Sequence, residues 1–107
     1  MTDSLEMLTE MVEAVDGAIA AYAALLEAGE ADPVVPPFGR LSEWPSDVVS
    51  ETGRPYTVVL SSPGGPHIEV VADGRWPARL NGFWGSSTLS RHGDYLSIFL
   101  DYFISRG

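Results

Sequence analysis

The chain has 107 residues, a formal charge of −9 and 45% hydrophobic residues, which fits one globular domain with a modest core rather than a disordered polymer. It has no cysteine, so disulfides and thiolate metal sites are excluded. It also lacks any run of about 18 apolar residues, the length a membrane-spanning helix needs. The acidic start does not read as a leader, so a cytoplasmic protein is expected. The charge is unevenly placed. Residues 1–51 hold eleven acids and one base, Arg40, whereas residues 52–107 hold four acids and five bases, and there is no lysine anywhere. Such a field repels nucleic acid and attracts basic surfaces.

Residues 3–30 read as one long amphipathic helix. Leu5, Leu8, Val12, Val15, Ile19, Tyr22 and Leu26 recur at spacings of three and four, which is one stripe along a helix. A second face carries Asp3, Glu6, Glu10, Glu13 and Asp16 with no base between them. Like charges three or four apart cost a helix about 0.2–0.5 kcal/mol per pair. Asp3 and Glu6 fit a capping box, Gly17 is a weak point and Gly29 fits a C-terminal cap. Glu27 and Glu30 sit at the end where the helix dipole disfavours anions.

Residues 31–55 carry five of the eight prolines and read as an ordered connector, pinned to the core by Phe38, Leu41 and Trp44. A turn or two of helix is expected over Pro45–Glu51. Residues 56–84 then read as a three-stranded antiparallel meander. Its strands are Tyr56–Leu60, His67–Ala72 and Arg75–Trp84, with turn signals at Ser62–Pro66 and at Asp73-Gly74. Pro77 limits pairing near the start of the third strand and favours an edge position there. After a loop over Gly85–Thr88, residues 89–105 form a C-terminal helix with Leu96, Phe99, Leu100 and Phe103 as its stripe; the alternation of Leu96, Ile98, Leu100, Tyr102 and Ile104 keeps a strand open there. The whole is an α+β fold in which both helices bury a stripe on the meander.

Motifs for chemistry are sparse, and no enzyme is expected. His67 and Glu69 share a strand face, with Asp73 or His92 as further metal ligands, but the spacing is unspecific. Ser61, His67 and Asp73 lack the setting of a nucleophile elbow. Pro63–Pro66 is a turn and not a phosphate loop. The arginines are scattered rather than patched, so direct nucleic-acid binding is not expected; Arg40, Arg75 and Arg79 are the candidates for pairing with the acidic half. Of Trp44, Trp76 and Trp84, Trp76 at a hairpin turn is the one expected to be exposed. No cofactor is expected.

From Tyr56 to Ile104 the chain resembles a group of small acidic proteins of phages and mobile elements. The resemblance is carried by Gly64-Gly65-Pro66 after a short strand, His67-Ile68-Glu69-Val70, Ala78-Arg79-Leu80, Trp84-Gly85 and the terminal Asp101-Tyr102-Phe103. It implies a mobile-element setting, in which proteins of this size often inhibit host defence, as anti-CRISPR and anti-restriction proteins do. The acidic helix lies outside the matched region.

The helix acids themselves carry two readings. One is a solvated face. The other is mimicry of nucleic acid, because residues four apart on a helix are about 6 Å apart along its axis, within a factor of two of the phosphate spacing along one strand. On the second reading Asp3, Glu6, Glu10, Glu13, Asp16, Glu27 and Glu30 meet a basic, nucleic-acid-binding surface of a host defence complex, in the host cytoplasm. An immunity protein that neutralises a basic toxin is the alternative. Homo-oligomerisation is a third, since the stripe spans about three heptads.

Overall fold

The computed structural model describes residues 4–45, 47–49, 56–60, 66–72 and 78–106. Helix α1 spans Ser4–Glu27. The strands β1 (Val34–Val35) and β2 (Gly39–Arg40) pair as a small antiparallel ribbon, followed by a 3-10 turn at Leu41–Glu43. Strands β3 (Asp47–Val49), β4 (Tyr56–Val59), β5 (His67–Ala72), β6 (Arg79–Trp84) and β7 (Ser87–His92) form one antiparallel sheet in sequential order. Helix α2 spans Asp94–Arg106. The fold is α+β, and among the described residues no helix is long and apolar enough to cross a membrane.

The three-four stripe sets how α1 sits. Leu8, Val12, Val15, Ile19 and Tyr22 are buried, and Leu26 packs at the edge of the core. Leu5, the first residue of the stripe, is instead 44% exposed, so burial starts one turn later than the periodicity predicts. The helix stops where a left-handed residue becomes available. Gly29 takes φ +100°, its N–H donates to Leu26 O, and the Glu30 N–H donates to Leu25 O, which is a Schellman closure. The Asp3 half of the expected capping box lies outside the described residues.

Both helices cover the same face of the sheet. Val58, Ile68, Val70 and Leu80 turn inward and join Leu8, Val12, Leu96, Phe99 and Leu100 in one core. Gly82 of β6 lets α1 lie close: a Cβ there would stand 2.5 Å from Val12 Cγ2 and 3.1 Å from Leu8 Cδ1. The stripe Leu96, Phe99, Leu100 and Phe103 of α2 is buried as its spacing predicts.

The connector is anchored by three residues. Leu41 is fully buried, and Trp44 stands among Tyr22, Phe38 and Phe99 with ring centroids 5.1, 5.2 and 5.8 Å away. Tyr22 Oη donates to Gly39 O at 2.5 Å, tying β2 to α1, and burial raises this phenol above its ordinary value.

Four sequence expectations change. The meander has five strands, not three. The segment expected to turn helically after Pro45 instead holds β3, which pairs with β4 through Asp47–Val59, Val48–Val58 and Val49–Thr57. The loop over Gly85–Thr88 is a two-residue turn, Gly85-Ser86, with Gly85 at φ +59°. The helix expected from residue 89 begins at Asp94, because Leu89–His92 pair with Gly82, Leu80 and their neighbours in β6. That pairing also places β6 inside the sheet, between β5 and β7. The turn at Asp73-Gly74, Pro77, Arg75 and Trp76 lie outside the described residues.

Candidate functional site

The acids of α1 do not form one patch. Glu6, Glu10 and Glu13 lie on the side of the helix opposite the buried stripe, and all three are exposed. Asp16 is half-buried on a flank facing α2, where it accepts a hydrogen bond from Tyr95 Oη at 2.5 Å. Burial first, and then this carboxylate, push the Tyr95 phenol up to about 12. Glu27 and Glu30 are exposed at the far end of the helix. About 21 Å of helix axis separates Glu13 from Glu27, from the 1.5 Å rise per residue. The outward positions between them include the small residues Gly17 and Ala24, both exposed. Asp3 lies outside the described residues.

Within the exposed triplet, Glu13 is partly engaged. Arg91 Nη2 of β7 stands 3.5 Å from Glu13 Oε1, although the carboxylate side chain stays 63% exposed. An ion pair this open contributes little. Glu6 and Glu10 make no ion pair among the described residues. The concentrated, uncompensated charge is therefore the N-terminal half of α1. Sequence reading named Arg40, Arg75 and Arg79 for internal pairing and missed Arg91, because it placed residue 91 on a helix rather than on the strand beside α1.

Arg40 does reach an acid, but of the connector: its Nε is 4.0 Å from Asp32 Oδ2. Asp32 is chiefly a clamp. It accepts the Ser42 N–H at 2.9 Å and the Ser42 hydroxyl at 2.7 Å, and Tyr102 Oη of α2 donates to it at 3.3 Å. Partial desolvation works to raise this carboxyl, but the Ser42 and Tyr102 hydrogen bonds and Arg40 outweigh it and lower the carboxyl below its ordinary value.

An apolar cleft of about 170 Å³ opens between α1 and the connector. Met11, Ala14 and Val15 form its helix wall, and Phe38 and Trp44 its connector wall. Its floor is Leu60, Pro66 and Ile68, at the adjoining ends of β4 and β5. Sequence reading did not find this cleft. The three walls come from segments far apart in the chain, and the lining residues that the sequence singles out, such as Val15, Phe38 and Trp44, read as core contacts rather than as parts of one hollow.

The sheet face away from the helices carries polar residues that satisfy one another. His67 Nε2 and Glu69 Oε1 are 2.7 Å apart, and Ser90 Oγ donates to Asn81 Oδ1 at 2.9 Å. His92 is exposed on the same face, in the row that runs through Arg79 and Val71. Among the described residues no group of three or more His, Asp or Glu is placed to hold a metal ion. Ser61 and Asp73, considered above with His67 for nucleophilic chemistry, lie outside the described residues. Comparison with protein-family models, with curated proteins and with solved structures gave no match for this chain.

Proposed function

We propose that this chain is a non-enzymatic binding protein. In this reading it occupies a basic, nucleic-acid-binding surface of a host defence complex through α1. The observation that supports it is the exposed triplet Glu6, Glu10 and Glu13, presented from a helix whose opposite face is locked into the core. Rigid presentation matters because the backbone of a packed helix is already ordered, so that only the side chains lose freedom on binding. Glu6 and Glu10 face solvent one turn apart, a spacing that suits lysine or arginine sites otherwise filled by neighbouring phosphates. Asp16, Glu27 and Glu30 take no central part: the first serves α2, and the other two stand about 21 Å further along the axis, beyond the small exposed residues Gly17 and Ala24. The inhibitor setting comes from the resemblance to acidic mobile-element proteins and places the chain in the host cytoplasm.

The test is competition. Increasing amounts of the chain are added to nucleic-acid-binding defence effectors holding labelled double-stranded DNA, across a salt series. The wild-type chain displaces DNA with an affinity that falls as salt rises. Reversal of Glu6, Glu10 and Glu13 to Lys abolishes displacement, while reversal of Glu27 and Glu30 leaves it intact. Unchanged affinity and an unchanged salt slope in the triple variant sink the reading.

A further inference from the structure

The cleft and the acidic triplet adjoin. Glu10 lies one helical turn before Ala14, which stands at the cleft mouth and is itself exposed. Met7, one turn before both Glu10 and Met11, is 37% exposed. On the opposite wall Glu43 is exposed next to Trp44. Neither Glu10 nor Glu43 is held by an ion pair among the described residues. The apolar hollow thus has Glu10 one helical turn from Ala14 on its helix wall, and Glu43 adjacent in the chain to Trp44 on its connector wall.

Size and lining limit what fits. An apolar cavity of roughly 150 Å³ accommodates one benzene-sized ring, and pockets for cofactors or drug-sized molecules start at roughly 300 Å³. At about 170 Å³ the cleft matches one large side chain. Its lining is mostly apolar and carries no charged side chain, which favours an apolar group over an ionised one. Glu10 and Glu43, in turn, favour a cation beside that side chain. Open ion pairs contribute little to affinity, whereas a side chain buried in a fitted pocket carries much of it.

We propose that the cleft is an anchor site for one aromatic or large aliphatic side chain of a basic protein segment, with a neighbouring cation of that segment meeting Glu10. This rests on the acidic-face reading and adds the apolar contact that the triplet alone does not provide. It also discriminates partners: a basic segment without an exposed apolar side chain binds weakly.

The test uses two small probes on the full chain. 2-Phenylethylamine carries a ring and an ammonium, and 2-phenylethanol is its uncharged counterpart. Methyl resonances of Val15, Leu60 and Ile68 and the Trp44 indole resonance are followed during titration. Saturable shifts at these positions are expected for both probes, with the amine binding about two- to fivefold tighter, as an exposed ion pair allows. Glu10→Gln removes that preference. Ala14→Phe fills the mouth from an exposed position and abolishes both titrations, with folding checked by its thermal transition. Absence of saturable shifts in the wild-type chain overturns the anchor site, and equal binding of the two probes overturns its preference for a basic segment. Either result leaves the DNA-competition outcome to stand or fall separately, since that assay needs only the triplet.

Discussion

Tyr95 Oη donates to Asp16 Oδ1 across the junction of α1 and α2, joining residues 79 positions apart in the chain. The bond has two consequences. It fixes the start of α2 against α1, just after Gly93 ends the pairing of β7. It also commits one of the helix acids to the fold, which sets Asp16 apart from the exposed triplet Glu6, Glu10 and Glu13. Tyr95→Phe removes the donor and leaves a half-buried carboxylate without it. Urea unfolding is expected to show a loss of about 1.5–3 kcal/mol, the range for a hydrogen bond to a charged group. Asp16→Asn, which keeps an acceptor, is expected to lose less. A double variant that loses the sum of two large single effects contradicts a direct coupling of the pair.

Burial of the same tyrosine, and then this bond, give the protein an alkaline limit. Tyr95 titrates at about 12, and burial also raises Tyr22. Unfolded tyrosine titrates near 10. Between these values the native state holds protons that the unfolded state has released, so stability falls as pH rises. The contribution is complete below about pH 10 and is lost on the way to about pH 12. Stability measured by urea unfolding at pH 9, 10 and 11 should decline, and Tyr95→Phe should show a shallower decline. An identical slope in the variant contradicts the assignment to Tyr95.

Gly82 sets the distance between α1 and the sheet. Its missing Cβ leaves room for Val12 and Leu8 directly above β6. Gly82→Ala forces a methyl into that contact and is expected to destabilise by about 1–3 kcal/mol, the range for overpacking. Adding Val12→Ala to the variant makes the room again. Its thermal midpoint should then exceed that expected from summing the two single effects. Strict additivity contradicts the contact as the cause.

The ways the sequence misleads are as physical as the ways it informs. The stripe of α1 is legible because Leu8, Val12, Val15, Ile19 and Tyr22 all face one core, and tertiary packing only confirms the period. Strand β7 is hidden because Leu89 is its sole large apolar residue. Its inward positions alternate Ser87, Leu89 and Arg91, too polar to register as a period of two, and the strong stripe beginning at Leu96 absorbs it into a longer helix. The turn Gly85-Ser86 did carry a hairpin signal, since a glycine-first two-residue turn matches the twist of antiparallel strands. Strand β3 is too short for any period. The partition of the acids is illegible for another reason. Whether Asp16 is free or held depends on Tyr95, and helix spacing alone gives no information about a residue on α2.

Asp32 holds the connector that carries Trp44, and so controls one wall of the cleft. Hydrogen bonds from Ser42 and Tyr102, aided by Arg40, lower its carboxyl below the ordinary value despite some desolvation. For a group lowered in the native state, the unfolded chain takes up the proton first as pH falls. The stabilisation is therefore complete above the ordinary aspartate value, near pH 4, and is lost as pH drops through the lower folded value. Asp32→Ala removes the acceptor of the Ser42 and Tyr102 hydrogen bonds at every pH. Trp44 fluorescence is the readout, because its packing with Tyr22, Phe38 and Phe99 depends on where the connector runs. In the wild-type chain the emission should hold steady from pH 7 to about 4 and shift to the red below. In Asp32→Ala it should be red-shifted already at pH 7, with much of the acid-induced change gone. An emission spectrum at pH 7 that matches the wild type rules out the clamp as the support of the Trp44 wall.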